Sequence, residues 1–169
     1  MMLGRGLAVA AIAAALDQAS KFWLLQHFGA TGCGALREQT LTPYFQLVLA
    51  CNRGISFGLL SGTAIGDAIF ATTAVVVIVG LLLWLSRVRG GFLAIGIGLV
   101  MGGAIGNVAD RLRLGAVVDF LYFHAGSWYW PAFNVADSAI CLGVAAMLID
   151  GLWLRHAPPQ SNRGKDIVP

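Results

Sequence analysis

Between Gly102 and Ser138 the chain reads GGAIGNVADRLRLGAVVDFLYFHAGSWYWPAFNVADS, a run with three aspartates, two arginines and two asparagines set between strongly apolar segments. Asp110 closes the first apolar segment, Asp119 sits among Val117, Val118, Phe120 and Leu121, and Asp137 lies a few residues into the next. An ionisable group at membrane depth costs at least ~2.5 kcal/mol and usually marks function. Two carboxylates confined together can share a proton, which equips them for acid–base hydrolysis.

The rest of the composition says what surrounds this run. Of 169 residues, 58% are hydrophobic and only 11% charged, and the mean hydropathy is +0.78. Those values lie far from a soluble domain and predict a single integral membrane domain spanning 1–169. A net charge of +3, scattered along the chain, gives no basic patch for nucleic acid. Cys33, Cys51 and Cys141 lack CxxC spacing, and His27, His124 and His156 are far apart, so no metal site and no cofactor is expected.

Hydropathy divides the chain into four expected transmembrane helices, at about 7–28, 64–86, 92–110 and 131–154. The first resembles a signal peptide at its start, but Asp17, Gln18, Ser20 and Lys21 interrupt it and no small-x-small cleavage site follows, so it reads as retained. Asp17 and Lys21 are four apart and share a helix face. Residues 29–63 are too polar to span a bilayer, and Tyr44 to Ala50 is prone to form a strand. Asn52 to Gly58 is turn-rich but lacks the phosphate-loop pattern. The glycines of the third helix permit close packing, and Pro131 suits the first turn of the fourth. The tail from about 156 reads as disordered.

Basic residues orient the chain, because cytoplasmic flanks carry them in excess. Placing both termini with the Arg87–Arg89 turn collects Arg5, Arg87, Arg89, Arg155, Arg163 and Lys165 against Asp150 and Asp166, a net of +4. The opposite face is left with a net of −1. Both termini are therefore expected in the cytoplasm, with Asn52, Asn107, Asn134 and the aspartates toward the outer face.

Five stretches, in order, resemble the lipoprotein signal peptidase (signal peptidase II) family. They are Asp17-Gln18-Ala19-Ser20-Lys21, Asn52-Arg53-Gly54 with Phe57, Gly102-Gly103-x-x-Gly106-Asn107-x-x-Asp110-Arg111, Val117-Val118-Asp119-Phe120, and Phe133-Asn134-x-Ala136-Asp137-Ser138. Cys51 departs from a frequent aromatic, and Ile55 from a usual small residue. The resemblance implies an all-α membrane protein with four transmembrane helices and a small extracytoplasmic β-cradle and loop region. It implies an aspartyl endopeptidase of the bacterial cytoplasmic (inner) membrane that cuts prolipoproteins just before their diacylglyceryl cysteine. It further implies a monomer among membrane lipids, inhibited by globomycin-type cyclic peptides.

The family motif assigns the catalytic dyad to Asp119 and Asp137, and physical reasoning concurs. Apolar neighbours should raise the pKa of Asp119, while Asp137 lies near a helix start that favours an anion. Asp110 is expected to remain ionised and paired with Arg111 or Arg113. Asp17, Lys21, Asn52, Gly54, Gly103, Asn107, Arg111, Asn134 and Ala136 match the family's substrate-binding or supporting positions. Two other classes of function fit intramembrane carboxylates: a proton channel or transporter, which needs polar groups through the whole bilayer depth, and a noncatalytic lipid-binding or assembly protein, in which amides could replace the carboxylates.

Overall fold

Buried positions along the first helix recur at Gly6, Ala10, Ala13, Asp17, Lys21 and Leu24, one face of a helical period, whereas Leu7, Ile12, Leu16, Phe22 and Trp23 point outward. Small residues inside and large apolar ones outside suit a bilayer, where lipid gives no reason to hide leucine and close packing is what joins helices. The computed structural model describes residues 2–54 and 64–154, with side chains described for 2–54 and 72–152. In chain order the elements are α1 (Met2–His27), β1 (Arg37–Thr42), β2 (Phe45–Asn52), α2 (Ala64–Leu85), α3 (Gly91–Leu114), β3 (Val117–Ala125), β4 (Trp128–Phe133) and α4 (Val135–Ile149), which runs into a π-helical turn (Asp150–Leu154).

Among the described residues three helical stretches are long and apolar enough to cross a membrane: α1, α3 and Val135–Leu152. Among the described residues a shorter apolar stretch, Thr72–Leu85, lies within α2. α3 is the central helix and packs against α1, α2 and α4. The expected tail from about 156 lies outside the described residues.

Two helix ends differ from the sequence expectation. α3 continues past Asp110 to Leu114, because Arg111 to Leu114 all tolerate helix and the first residue that stops it is Gly115, left-handed at φ 68° with its N–H bonded to the Arg111 carbonyl. α4 begins at Val135 rather than at Pro131, since the aromatic run Trp128–Phe133 forms a strand on β3 and Asn134 caps the helix. Hydropathy finds apolar runs, and an apolar run that passes from strand to helix shows no seam.

The strands form one antiparallel sheet in the order β1-β2-β3-β4. Leu47, Leu49, Val118 and Phe120 of one face pack with Leu24 and Leu25 at the end of α1, which seats the sheet on the helices. A Cys33–Cys51 disulfide ties the loop after α1 to the end of β2. Spacing alone did not reveal that pair, because the sheet brings together residues that are 18 apart in sequence.

Candidate active site

Asp119 and Asp137 reach the same place by different routes. Asp119 lies on β3 opposite Ala50 of β2, next to Val117 and Val118, which pair with Asn52 and Cys51. Asp137 stands in the first turn of α4, not two turns in, because it is the third residue of a capping box. Its backbone N–H donates to Asn134 Oδ1 at 2.9 Å, and its own carboxylate accepts the Asn134 backbone N–H at 3.2 Å. Reciprocal bonds of this kind satisfy two donors that a helix start leaves open.

Asn134, fully buried, joins the two aspartates. While its backbone and side-chain oxygen hold Asp137, its Nδ2 donates to Asp119 Oδ1 at 2.7 Å. Asn52 Nδ2 donates to the other Asp119 oxygen at 3.2 Å, and the Gly54 N–H orients that amide by donating to Asn52 Oδ1 at 3.1 Å. Asn107 Nδ2 donates to Asp137 Oδ1 at 2.9 Å. Each carboxylate is therefore held by amides, with Asn134 common to both.

Electrostatics act strongly on Asp119. Burial pushes the Asp119 carboxyl up, the neighbouring Asp137 charge pushes it further, and the amide donors with Lys21 pull it partly back, leaving it at about 6. A carboxyl that titrates there still carries a proton part of the time near neutral pH. That property suits a pair sharing one proton.

Behind the pair lies a second, buried layer. Lys21 Nζ uses its three donors on Asp17 at 2.8 Å, Asp110 at 2.9 Å and Asn107 Oδ1 at 3.2 Å. The expected Asp17–Lys21 pair is present, but Asp110 turns to Lys21 and not to its neighbouring arginines. Arg111, adjacent to Asp110 and so turned to another side of the helix, donates to the Asn107 carbonyl, and Arg113 donates to Gln18 Oε1. Asp110 also accepts the Val118 N–H at 3.1 Å, fixing the strand residue just before Asp119. Asp17 accepts the Ala136 N–H at 2.9 Å, fixing the helix residue just before Asp137.

The two glycines of interest make room for this layer. A Cβ on Gly103 would strike the Ala136 carbonyl, and one on Gly106 would strike the Asp17 carboxylate. Gln18, which sequence reasoning placed in a motif but not in the site, donates to Asp110 at 2.9 Å and to the Gly106 carbonyl at 3.1 Å. Its signal was its place in the polar notch of α1, between Asp17 and Lys21. Phe57 and Ile55 lie outside the described residues. Among those described, no group of three or more His, Cys, Asp or Glu side chains is arranged to hold a metal ion.

Asp119 opens onto a cavity of about 650 Å³ lined by Asn52, Arg53, Gly54, Cys51 and Ala132 among others. Asn134 thus joins Asp119, on the cavity, to Asp137, in the first turn of α4. A model of the signal peptidase (SPase) II family fits residues 9–153. The chain belongs to that family. Its members are proteases, and relatives named lipoprotein signal peptidase cover most of it. One from Rhodopseudomonas palustris is 47% identical over 87% of this chain and 91% of its own, and one from Methylobacterium sp. is 42% identical over 88% of each. A solved bacterial membrane enzyme determined by the in meso method superposes with a TM-score of 0.71 at 25% identity, covering 98% of this chain and 95% of its own. Signal peptidase II membership thus rests on the whole chain and not on the polar residues alone.

Proposed function

We propose that the chain is an aspartyl endopeptidase that releases the signal peptide from diacylglyceryl-modified prolipoproteins by cutting just before the lipidated cysteine, with Asp119 and Asp137 as the catalytic dyad. The observation that carries this reading is the Asn134 bridge, which binds both carboxylates and leaves Asp119 on the cavity. The names of the relatives supply the substrate class. With one proton between the two carboxyls, the ionised one takes a proton from water as the water oxygen attacks the scissile carbonyl. The protonated one then gives its proton to the amide nitrogen as the C–N bond breaks. Which aspartate begins with the proton is a property of the pair. Asn52, Asn107, Asn134 and Arg111 hold the pair or the substrate backbone, while Gly54, Gly103, Ala136, Asp17 and Lys21 keep these groups in place.

We further propose that the sheet faces outward from the bacterial inner membrane, with both termini cytoplasmic. The charge asymmetry of the flanks supports this, and so does the Cys33–Cys51 disulfide on the sheet side, since such bonds persist in oxidising compartments. The protein acts as a monomer amid membrane lipids, without a cofactor, and is open to globomycin-type cyclic peptides.

Purified protein in nanodiscs, given a diacylglyceryl prolipoprotein, should release the signal peptide and retain that activity in chelator. The same substrate without its lipid should be cut about tenfold more slowly or worse, a difference of ~1.4 kcal/mol, because the lipid positions the bond at the dyad. Absence of cleavage with the lipidated substrate, or equal kcat/KM for the two forms, would contradict the reading.

A further inference from the structure

The sheet carries a second cavity, of about 590 Å³, along the face that looks away from its packing on α1. Leu36, Ala50 and Ala132 line both this cavity and the one that holds Asp119, so the two form one trough leading from Asp119 out over the sheet. Its outer part is lined by Glu38 of β1, Gln46 of β2 and Tyr122 and His124 of β3.

We infer that this trough binds the first residues of the chain that follows the scissile bond, as an extended peptide, and that Glu38 selects against acidic side chains among them. The inference rests on the proposed function and deepens it. The segment before the bond is an apolar helix that stays in the bilayer, so it lies along the helices. The segment after the bond is the soluble part of the substrate, and the sheet face is the surface that leads away from the helices.

Position along the trough follows from the register. Asp119 is opposite Ala50, and Glu38 is opposite Val48, two residues further along β2 and one strand beyond it. By standard sheet spacings that separation is about 12 Å, or roughly three to four residues of extended chain. Glu38 therefore faces the third or fourth residue of the released chain. Arg53 lines the inner cavity, so an acidic group close to the bond meets a different charge from one further out.

The test uses the full chain in nanodiscs and two lipidated prolipoprotein peptides that differ only in Lys or Asp at the third and fourth positions after the cut. The unaltered chain should favour the Lys form by about fivefold in kcat/KM at low salt, the upper range for an exposed charge pair. In 1 M salt, where screening acts over about 3 Å, the preference should vanish. Glu38→Lys should invert the preference and Glu38→Gln should bring it close to one. An unchanged Lys-to-Asp ratio in Glu38→Lys and Glu38→Gln overturns the inference while leaving the peptidase reading intact. Failure to cleave either peptide removes that reading and the inference with it.

Discussion

The buried layer beneath the aspartate pair and the sheet face in front of it use similar side chains to opposite ends. Beneath the pair, Asp17, Gln18, Lys21 and Asp110 spend their polar atoms on one another and on the backbone flanking Asp119 and Asp137. On the sheet face, Glu38 is exposed and lines the trough that leads away from Asp119. The first arrangement fixes geometry and leaves nothing for a substrate. The second holds its carboxylate on a strand and leaves it open. Substitutions beneath should therefore act on stability, and those in front on substrate choice.

The largest expected effect falls on the line between the two regions. Asp119→Asn and Asp137→Asn should each lower turnover by at least about 10³-fold, since general acid–base catalysis contributes up to about 10⁴. Melting in detergent should show that both remain folded. Turnover within tenfold of normal in either variant would falsify the dyad.

A substitution in the buried layer should produce the opposite pattern. Lys21→Met strands the carboxylates of Asp17 and Asp110 against each other, and breaking such a buried pair typically loses about 3–5 kcal/mol. Thermal or denaturant unfolding should read that loss. If Lys21→Met unfolds like the unaltered chain while losing its activity, the layer has a chemical role and the contrast with the sheet face collapses.

Reducing the Cys33–Cys51 disulfide tests whether the sheet side is stapled independently of the helices. Closing a loop of 18 residues restricts the unfolded chain by about 3 kcal/mol. Reductant, or a Cys33→Ser and Cys51→Ser double variant, should lower stability by an amount of that order. Retention of full stability on reduction would show that the sheet is held by its packing on α1 alone.

The smallest effect is a shift in pH dependence. The Asn52 amide favours the charged form of Asp119, whose pKa is about 6. Removing it in Asn52→Ala stabilises the protonated form, so that pKa rises. The alkaline limb of the pH–rate profile, where the pair loses its shared proton, should move upward by less than one unit. A downward movement would show that Asn52 serves the substrate and not the carboxylate.

Much of this molecule was legible in its sequence, and the parts that were not share a cause. Long apolar runs announced α1, α3 and α4, and the density of polar residues from Asn107 to Asp137 announced the site. The Asp17–Lys21 pair followed from spacing on one helix. By contrast, the partner of Asp110 is on another helix, and the disulfide crosses from a loop to a strand. Contacts between elements are set by packing, which periodicity along one element does not encode. The start of α4 was misplaced for a local reason, since Trp128 to Phe133 is as apolar as a helix would be and only the Asn134 cap marks the boundary.

That cap has a consequence for how the enzyme comes into being. Starting a helix is the unfavourable step in forming it, and the bonds that start α4 are the same ones that set Asp137 beside Asn134, whose amide reaches across to Asp119. On the proposed dyad, hydrolytic competence is coupled to the completion of the last helix. A half-assembled chain in the membrane holds two unrelated carboxylates, and a nascent chain is a poor protease until its final segment has docked.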